Sequence, residues 1–234
     1  MTKRYERIVT LDFETYFAQD YSLRLKEYNT SGYVRDPQFK TQCVGIKVDH
    51  DDSLWVPHIH VEAALGTIDW ATSAVLCHHT GFDALILSHH YGIYPAYCFD
   101  TLSMGRALHS NGLGASLDEL AQFYRLGNKL PDVLGKTKGI RDLEPELMNE
   151  LGQYCAIDTD LCYKLFHKMI DSFTQDELDL IDMTVRMFTE PVLQVDEPRV
   201  VKELEREIAH KAELIDTAKT PKTTLSSNQK FADA

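Results

Sequence analysis

The alternation of apolar and polar residues near the N-terminus predicts a β-strand over residues 8–15. Because successive side chains of a strand point to opposite faces, Asp12 and Glu14 share one face near its end. The opposite face is apolar and consists of Val9, Leu11 and Phe13. Two carboxylates held this close repel each other unless a proton or a cation lies between them. A hard divalent metal ion suits such oxygen ligands, and the alternative is that both acids begin a solvated turn.

Further apolar runs predict strands at residues 42–48, 53–56 and 74–77, with a short one at 192–195. Helical patterns cover residues 61–70 in part, a segment ending near 90, and residues 100–109, 116–124, 145–171, 174–190 and 198–218. Two of these helices open with the capping boxes Ser116 to Glu119 and Thr174 to Glu177. Residues 16–40 and 127–142 are predicted to be irregular. Strands dominate the first half and helices the second, so the predicted class is α/β with a mixed sheet.

The predicted helix at residues 145–171 carries an acid on its apolar side. That side consists of Leu147, Leu151, Tyr154, Asp158, Leu161 and Leu165. A carboxylate on such a stripe is costly to bury without a partner, so Asp158 is a candidate functional residue, one turn after Tyr154. Asp160 is predicted to point away into solvent. The alternative for Asp158 is an acid at the edge of the stripe that bonds to neighbouring backbone.

A further acid, Asp83, follows a buried strand and stands at the start of a helix, where it could also simply favour the helix dipole. Taken together, the acids resemble the three motifs of the 3′–5′ exonucleases of the ribonuclease H-like superfamily. The matching segments are LDFET with Asp12 and Glu14, HHTGFD with Asp83, and YCAID with Tyr154 and Asp158. The Tyr-x-x-x-Asp form of the third motif is that of the tyrosine subgroup of these four-acid enzymes.

Other segments narrow the resemblance to the proofreading domains of phage-type family A DNA polymerases. Residues 99–102 (FDTL) are similar to a segment after the second motif, and residues 187–193 (MFTEPVL) to the exit toward the polymerase domain. Residues 225–232 (LSSNQKFA) are similar to the start of that domain. The resemblance implies a ribonuclease H-like mixed sheet flanked by helices, with a C-terminal helical extension. It divides the chain into an exonuclease domain, 1–190, and a helical linker with a truncated polymerase start, 191–234.

The resemblance also implies a two-metal mechanism with Mg²⁺ or Mn²⁺. Asp12, Glu14 and Asp158 would hold the first ion, Asp12 would bridge to a second, and Asp83 would reach the second ion through water. Tyr154 would orient the attacking water. One residue departs from the family pattern, because His79 stands four positions before Asp83 where the family usually has Asn.

The net charge of −12 has the wrong sign for a stand-alone nucleic-acid binder, so weak and salt-sensitive binding is expected. Lys129, Lys136, Lys138 and Arg141 are interpreted as a solvated loop, with a strand-binding role as the alternative. The five cysteines are odd in number and lack CxxC spacing, which favours reduced thiols in the cytoplasm, or the host cytoplasm if the protein is viral. No apolar run is long enough to predict a membrane span, and the first residues predict no signal peptide.

The sequence therefore predicts a metal-dependent exodeoxyribonuclease, a proofreading fragment of a DNA polymerase. Its expected partners are the 3′ end of single-stranded or frayed DNA and the polymerase domain of the same full-length chain. Two alternatives stay open. One is a stand-alone exoribonuclease of the same superfamily, and the other is a structural module whose catalytic site is relict.

Overall fold

The computed structural model describes residues 5–109, 112–128 and 133–232. Its strands are β1 (Arg7–Thr15), β2 (Thr41–Val48), β3 (Leu54–Pro57), β4 (Ser73–Cys77) and β5 (Tyr97–Asp100). Its first helices are α1 (Thr30–Arg35), α2 (His58–Leu65), α3 (Thr80–Tyr91), α4 (Thr101–His109), α5 (Leu117–Phe123) and α6 (Leu134–Thr137). The later ones are α7 (Pro145–Met169), followed by a 3₁₀ turn at Ile170–Ser172, then α8 (Gln175–Thr189), α9 (Glu197–Thr217), α10 (Lys222–Leu225) and α11 (Asn228–Ala232).

The five strands form one mixed sheet in the order β3-β2-β1-β4-β5. β1 lies at its centre, antiparallel to β2 and parallel to β4. The apolar face of β1 is buried in one core together with residues of α3, whereas Ile8 on its other face packs toward the core that includes residues of α5 and α7. This confirms the predicted alternation along β1 and the predicted mixed sheet flanked by helices.

Both predicted capping boxes are present at the starts of α5 and α8, with the Ser116 and Thr174 hydroxyls accepting from the N–H groups of Glu119 and Glu177. These boxes are local signals, since all their partners lie within three residues along the chain. The long helix also begins as predicted, with a proline in its first turn.

Three parts of the predicted secondary structure are wrong. Asp100 ends the strand β5 and does not begin a helix; only four residues form this strand, too few for a periodic signal. Residues 192–195 have no regular structure, and Val192 is 95% exposed. The segments predicted to be irregular contain the short helices α1 and α6. Lys129 lies outside the described residues.

Helix α7 approaches the sheet closely because Gly45 on β2 has no side chain. A Cβ atom at this position would lie 2.0 Å from the Thr159 hydroxyl and 2.9 Å from the carbonyl oxygen of Cys155, both on α7. Gly45 is also the register partner of Asp12 on β1. The missing side chain therefore sets how near α7 comes to the strand that carries the first two acids.

We expect Gly45→Ala to lower the free energy of unfolding by about 1–3 kcal/mol, since an extra methyl group must push α7 off the sheet. Gly32→Ala is the matched control, because its Cβ would meet only Asn29 Oδ1 at 3.4 Å, inside helix α1. That control should be neutral or stabilising by up to about 1 kcal/mol. Urea denaturation measures both, and equal destabilisation would contradict the account.

The chain forms two compact units, Met1–Pro191 and Val192–Ala234. The first unit contains the whole sheet and helices up to α8. The second contains α9 to α11, and no residue of α9 is buried. Whether the second unit is the start of a polymerase domain stays a prediction.

Within the described ranges, none of the helices combines the length and apolar character needed to span a bilayer.

Candidate active site

The two acids of β1 lie together with a cysteine from α7. Ligand atoms of Asp12, Glu14 and Cys155 all lie within 4.8 Å of one another. Asp12 and Glu14 are half-buried, while Cys155 is fully buried. The central strand thus presents its two carboxylates toward α7, on the face that the strand's alternation predicts.

Asp83 joins the same region from helix α3. The backbone N–H of Phe13, between the two acids of β1, donates to Asp83 Oδ1 at 3.0 Å. Asp83 is only 4% exposed, and burial together with the charge of Asp12 raises its pKa well above the usual range of a carboxyl. The carboxyl groups of Asp83 and Asp12 repel each other when both are ionised. A bound cation would reduce this repulsion.

The turn that places Asp83 is held by Asp100 at the end of β5. Asp100 Oδ1 accepts from the N–H groups of His79 at 2.9 Å and Thr80 at 3.1 Å, and Asp100 itself is 4% exposed. His79 has a left-handed backbone, with φ +83°. Asparagine and histidine are among the residues that tolerate this conformation, so the departure from the family pattern keeps the turn. The exposed His79 side chain stands at the start of α3, one turn before Asp83.

Helix α7 supplies Tyr154 and Asp158 from its buried side, where they are 8% and 5% exposed. Tyr154 packs in a small apolar cluster with Leu151 and Cys155. Asp160, two residues after Asp158, instead meets Lys47 at 3.1 Å and Lys164 at 2.6 Å. The two lysines hold the pKa of Asp160 below its ordinary value although burial opposes this. Asp160 is therefore engaged by lysines and is less exposed than predicted.

Cys155 has no role in the sequence motifs, yet its sulfur lies within 4.8 Å of ligand atoms of both acids of β1. Its thiol donates to the backbone carbonyl of Asp12 at 3.1 Å. Burial, a hydrogen bond with Cys43 and the nearby carboxylates raise the pKa of the thiol, so it stays neutral. A neutral thiol is a poor ligand for a hard cation. The hydrogen bond from the Cys155 thiol instead links α7 to β1. The available signal was spacing, since Cys155 precedes Asp158 by three positions on the same helix side.

The donor set fits a hard divalent metal ion. Carboxylates from β1, α3 and α7 are held on buried or half-buried elements, and at least two of them share one small volume. All-oxygen donors of this kind suit Mg²⁺ or Mn²⁺. The residues that would hold the ion are Asp12, Glu14, Asp83 and Asp158, the set that the sequence resemblance implies.

The family model for 3′–5′ exonucleases matches residues 35–173, more than half of the chain. The match includes Asp83, Tyr154 and Asp158, and it begins after the two acids of β1. No curated protein sequence matches the chain. Exonucleases of this family use divalent metal ions.

Solved structures with the same arrangement of elements include RNase D from Trypanosoma brucei, with a TM-score of 0.57 at 14% identity over 80% of this chain and 68% of that chain. NrnC from Brucella melitensis gives 0.52 at 13% identity, covering 78% of this chain and 81% of that chain. The catalytic core of RRP6 from T. brucei gives 0.52 at 14% identity, covering 78% of this chain and 45% of that chain. NrnC has also been solved with bound Mg²⁺.

At these identities the structural similarity establishes the fold, which is the predicted ribonuclease H-like exonuclease fold. The family match covers β2 to α7 and therefore most of the sheet and the long helix. On these grounds the chain belongs to the 3′–5′ exonuclease family.

Proposed function

We propose that the chain removes nucleotides from the 3′ ends of single-stranded or frayed DNA, as the proofreading part of a phage-type family A DNA polymerase. The observation that carries the proposal is the meeting of Asp12, Glu14 and Asp83 around the end of β1. The site residues belong to three separate elements, and they match the three sequence motifs of the proofreading enzymes in order and spacing.

Each site residue has a distinct role in this proposal. Asp12, Glu14 and Asp158 would hold a first divalent ion, and Asp12 together with Asp83 would contribute to holding a second one, Asp83 through water. When bound, such ions neutralise charge on the phosphodiester and activate a water molecule. Tyr154 would orient that water through its hydroxyl group.

The DNA preference and the polymerase context rest on the sequence resemblance alone. The segments FDTL, MFTEPVL and LSSNQKFA favour them. The second candidate is an exoribonuclease, and one structural relative, RNase D from T. brucei, has been solved in complex with the RNA U12. Similarity at 14% identity supports the shared fold and carries no substrate assignment.

Digestion of matched substrates tests the choice between DNA and RNA. We expect the chain, with Mg²⁺ or Mn²⁺, to shorten a 3′-single-stranded deoxyoligonucleotide one nucleotide at a time and to leave a 3′-blocked strand intact. The same sequence made as RNA should be degraded more slowly. Faster digestion of RNA would favour the exoribonuclease, while metal binding without turnover on either strand would favour a relict module.

A further inference from the structure

We propose that Arg24 and Lys138 bind backbone phosphates of the single strand in a cleft beside Glu14. The inference rests on the proposed function and concerns how this acidic chain holds its substrate. Both residues are exposed, and both line the cleft. Neither was selected as a site residue by sequence analysis, which interpreted Lys138 chiefly as part of a solvated loop.

The cleft has a volume of about 340 Å³ and begins at the end of β1. Its lining includes Glu14, so it opens directly beside the acids of the candidate active site. Aromatic side chains, among them Phe17 and Phe82, give it a largely apolar surface. Single-stranded nucleic acids are commonly bound by this combination, with bases against aromatic rings and phosphates against cations.

The segment that carries Arg24 follows a buried tyrosine that anchors it to helix α1. Tyr21 is fully buried, stacks on Tyr33 with ring centroids 4.5 Å apart, and donates to the Tyr33 carbonyl at 2.7 Å. The N–H of Leu25 bonds to the Ser22 carbonyl at 3.0 Å and closes the turn around Arg24. Arg24 therefore extends from an ordered loop, although the segment has no regular secondary structure.

The segment that carries Lys138 is joined to the first one. The N–H of Gly139 donates to the Phe17 carbonyl at 2.8 Å, with Gly139 in a left-handed conformation at φ +78°. Lys138 follows the short helix α6, which contributes Leu134 to the same cleft. This backbone contact ties together two segments whose cations lie more than a hundred positions apart in the sequence.

Two other lysines of these segments are already engaged by carboxylates. Lys40 pairs with Asp142, and Lys136 pairs with Glu150, each at 2.6 Å. Neither Arg24 nor Lys138 has a carboxylate within ion-pair distance in the part of the chain that the structure describes. In a protein of net charge −12, two unpaired cations facing one cleft beside the acids are suited to an anionic ligand.

The carboxylates of Asp12 and Glu14 repel the phosphates of a bound DNA strand. Positive charges near the site are therefore needed to offset this repulsion. At the scissile phosphate this repulsion would be offset by metal ions held by the same carboxylates. The nucleotides farther along the strand require fixed cations, and Arg24 and Lys138 supply them. This predicts weak binding through a small number of phosphate contacts, with an affinity that falls as salt is added by an amount set by that number.

The test measures binding of a short oligodeoxythymidylate across a salt series, with a chelator present so that no hydrolysis occurs. Each phosphate contact to a single strand contributes about 0.7 to the slope of log K against log salt. We expect Arg24→Gln and Lys138→Gln each to reduce the slope by about 0.7 and to weaken binding several-fold at low salt. Arg24→Lys, which keeps the charge, should retain the slope.

Lys26→Gln and Lys136→Gln are the matched controls. Each removes one nearby positive charge outside the cleft lining, and the charge of Lys136 is already engaged by Glu150. Both should keep the original slope. Equal losses in the controls, or unchanged slopes in Arg24→Gln and Lys138→Gln, would overturn the proposal.

The same salt series is then measured with an oligouridylate of the same length. Phosphate contacts predict the same change of slope with both strands, whereas a change confined to one strand would show contacts to base or sugar and would overturn the inference. Because these measurements exclude catalysis, an active exonuclease with unaltered slopes would refute the role of Arg24 and Lys138 alone. Correct slopes in a chain without nuclease activity would refute the proposed function alone.

Discussion

The double substitution Asp12→Asn with Glu14→Gln is expected to abolish exonuclease activity while leaving the fold intact. Both side chains keep their size, so packing between β1 and α7 should survive. Both lose the anionic oxygen that a hard divalent ion requires. Stabilisation by a bound ion is worth several kcal/mol, and each ~1.4 kcal/mol is a factor of ten in rate, so the loss should be about 100-fold or more.

The same double variant should be as stable as the parent chain, or more stable, when no metal is present. Asp12 and Glu14 lie on one face of the strand, and the charge of Asp12 contributes to the raised pKa of Asp83. Neutral amides remove this repulsion. Thermal melting with and without Mn²⁺ measures the effect, since added metal should raise the melting temperature of the parent but not of the variant.

Asp51→Asn with Asp52→Asn is the matched control for charge. These two acids are exposed in the turn between β2 and β3, and their replacement changes the net charge by the same amount. The control should keep its activity and its stabilisation by Mn²⁺. Normal digestion by a folded Asp12→Asn, Glu14→Gln variant would refute the assignment of the site.

Asp158→Asn is expected to lower the rate by about 100-fold or more, while Asp160→Asn leaves it nearly unchanged. The two aspartates are two residues apart on α7 and therefore point in different directions, since a helix advances ~100° per residue. Asp158 is 5% exposed on the buried side of the helix. Asp160 meets Lys47 and Lys164 instead, so its loss costs only a partly exposed ion pair.

Tyr154→Phe, measured in the same experiment, distinguishes a residue that orients the water from a residue that binds the metal ion. It removes only a hydroxyl, so hydrolysis should slow while Mn²⁺ affinity stays close to that of the parent. Asp158→Asn should instead weaken Mn²⁺ binding together with the rate. The measurements are single-turnover rates and Mn²⁺ titrations of the three variants. If Asp160→Asn were the variant that lost activity and Mn²⁺ affinity, Asp160 would be the ligand and the assignment of Asp158 would be wrong.

Local periodicity explains what could be predicted from the sequence. The alternation along residues 8–15 places Asp12 and Glu14 on one face of a strand, and the helical repeat places Tyr154 and Asp158 on one side of a helix. Each inference needs only a few consecutive residues and the fixed geometry of a strand or a helix. The family resemblance added the fold and the partnership of Asp83 with the other acids, which periodicity does not supply.

The sequence by itself thus determined the α/β class, the faces of β1 and α7, and the acids on them. The tertiary structure decided which partners these faces meet. Cys155 meets Asp12 because Gly45 lets α7 approach the sheet. Arg24 and Lys138 line one cleft, and the backbone hydrogen bond from Gly139 to Phe17 joins the two distant segments that carry them. Such contacts join residues about a hundred or more positions apart, and they depend on how side chains fill shared space, which no local repeat encodes.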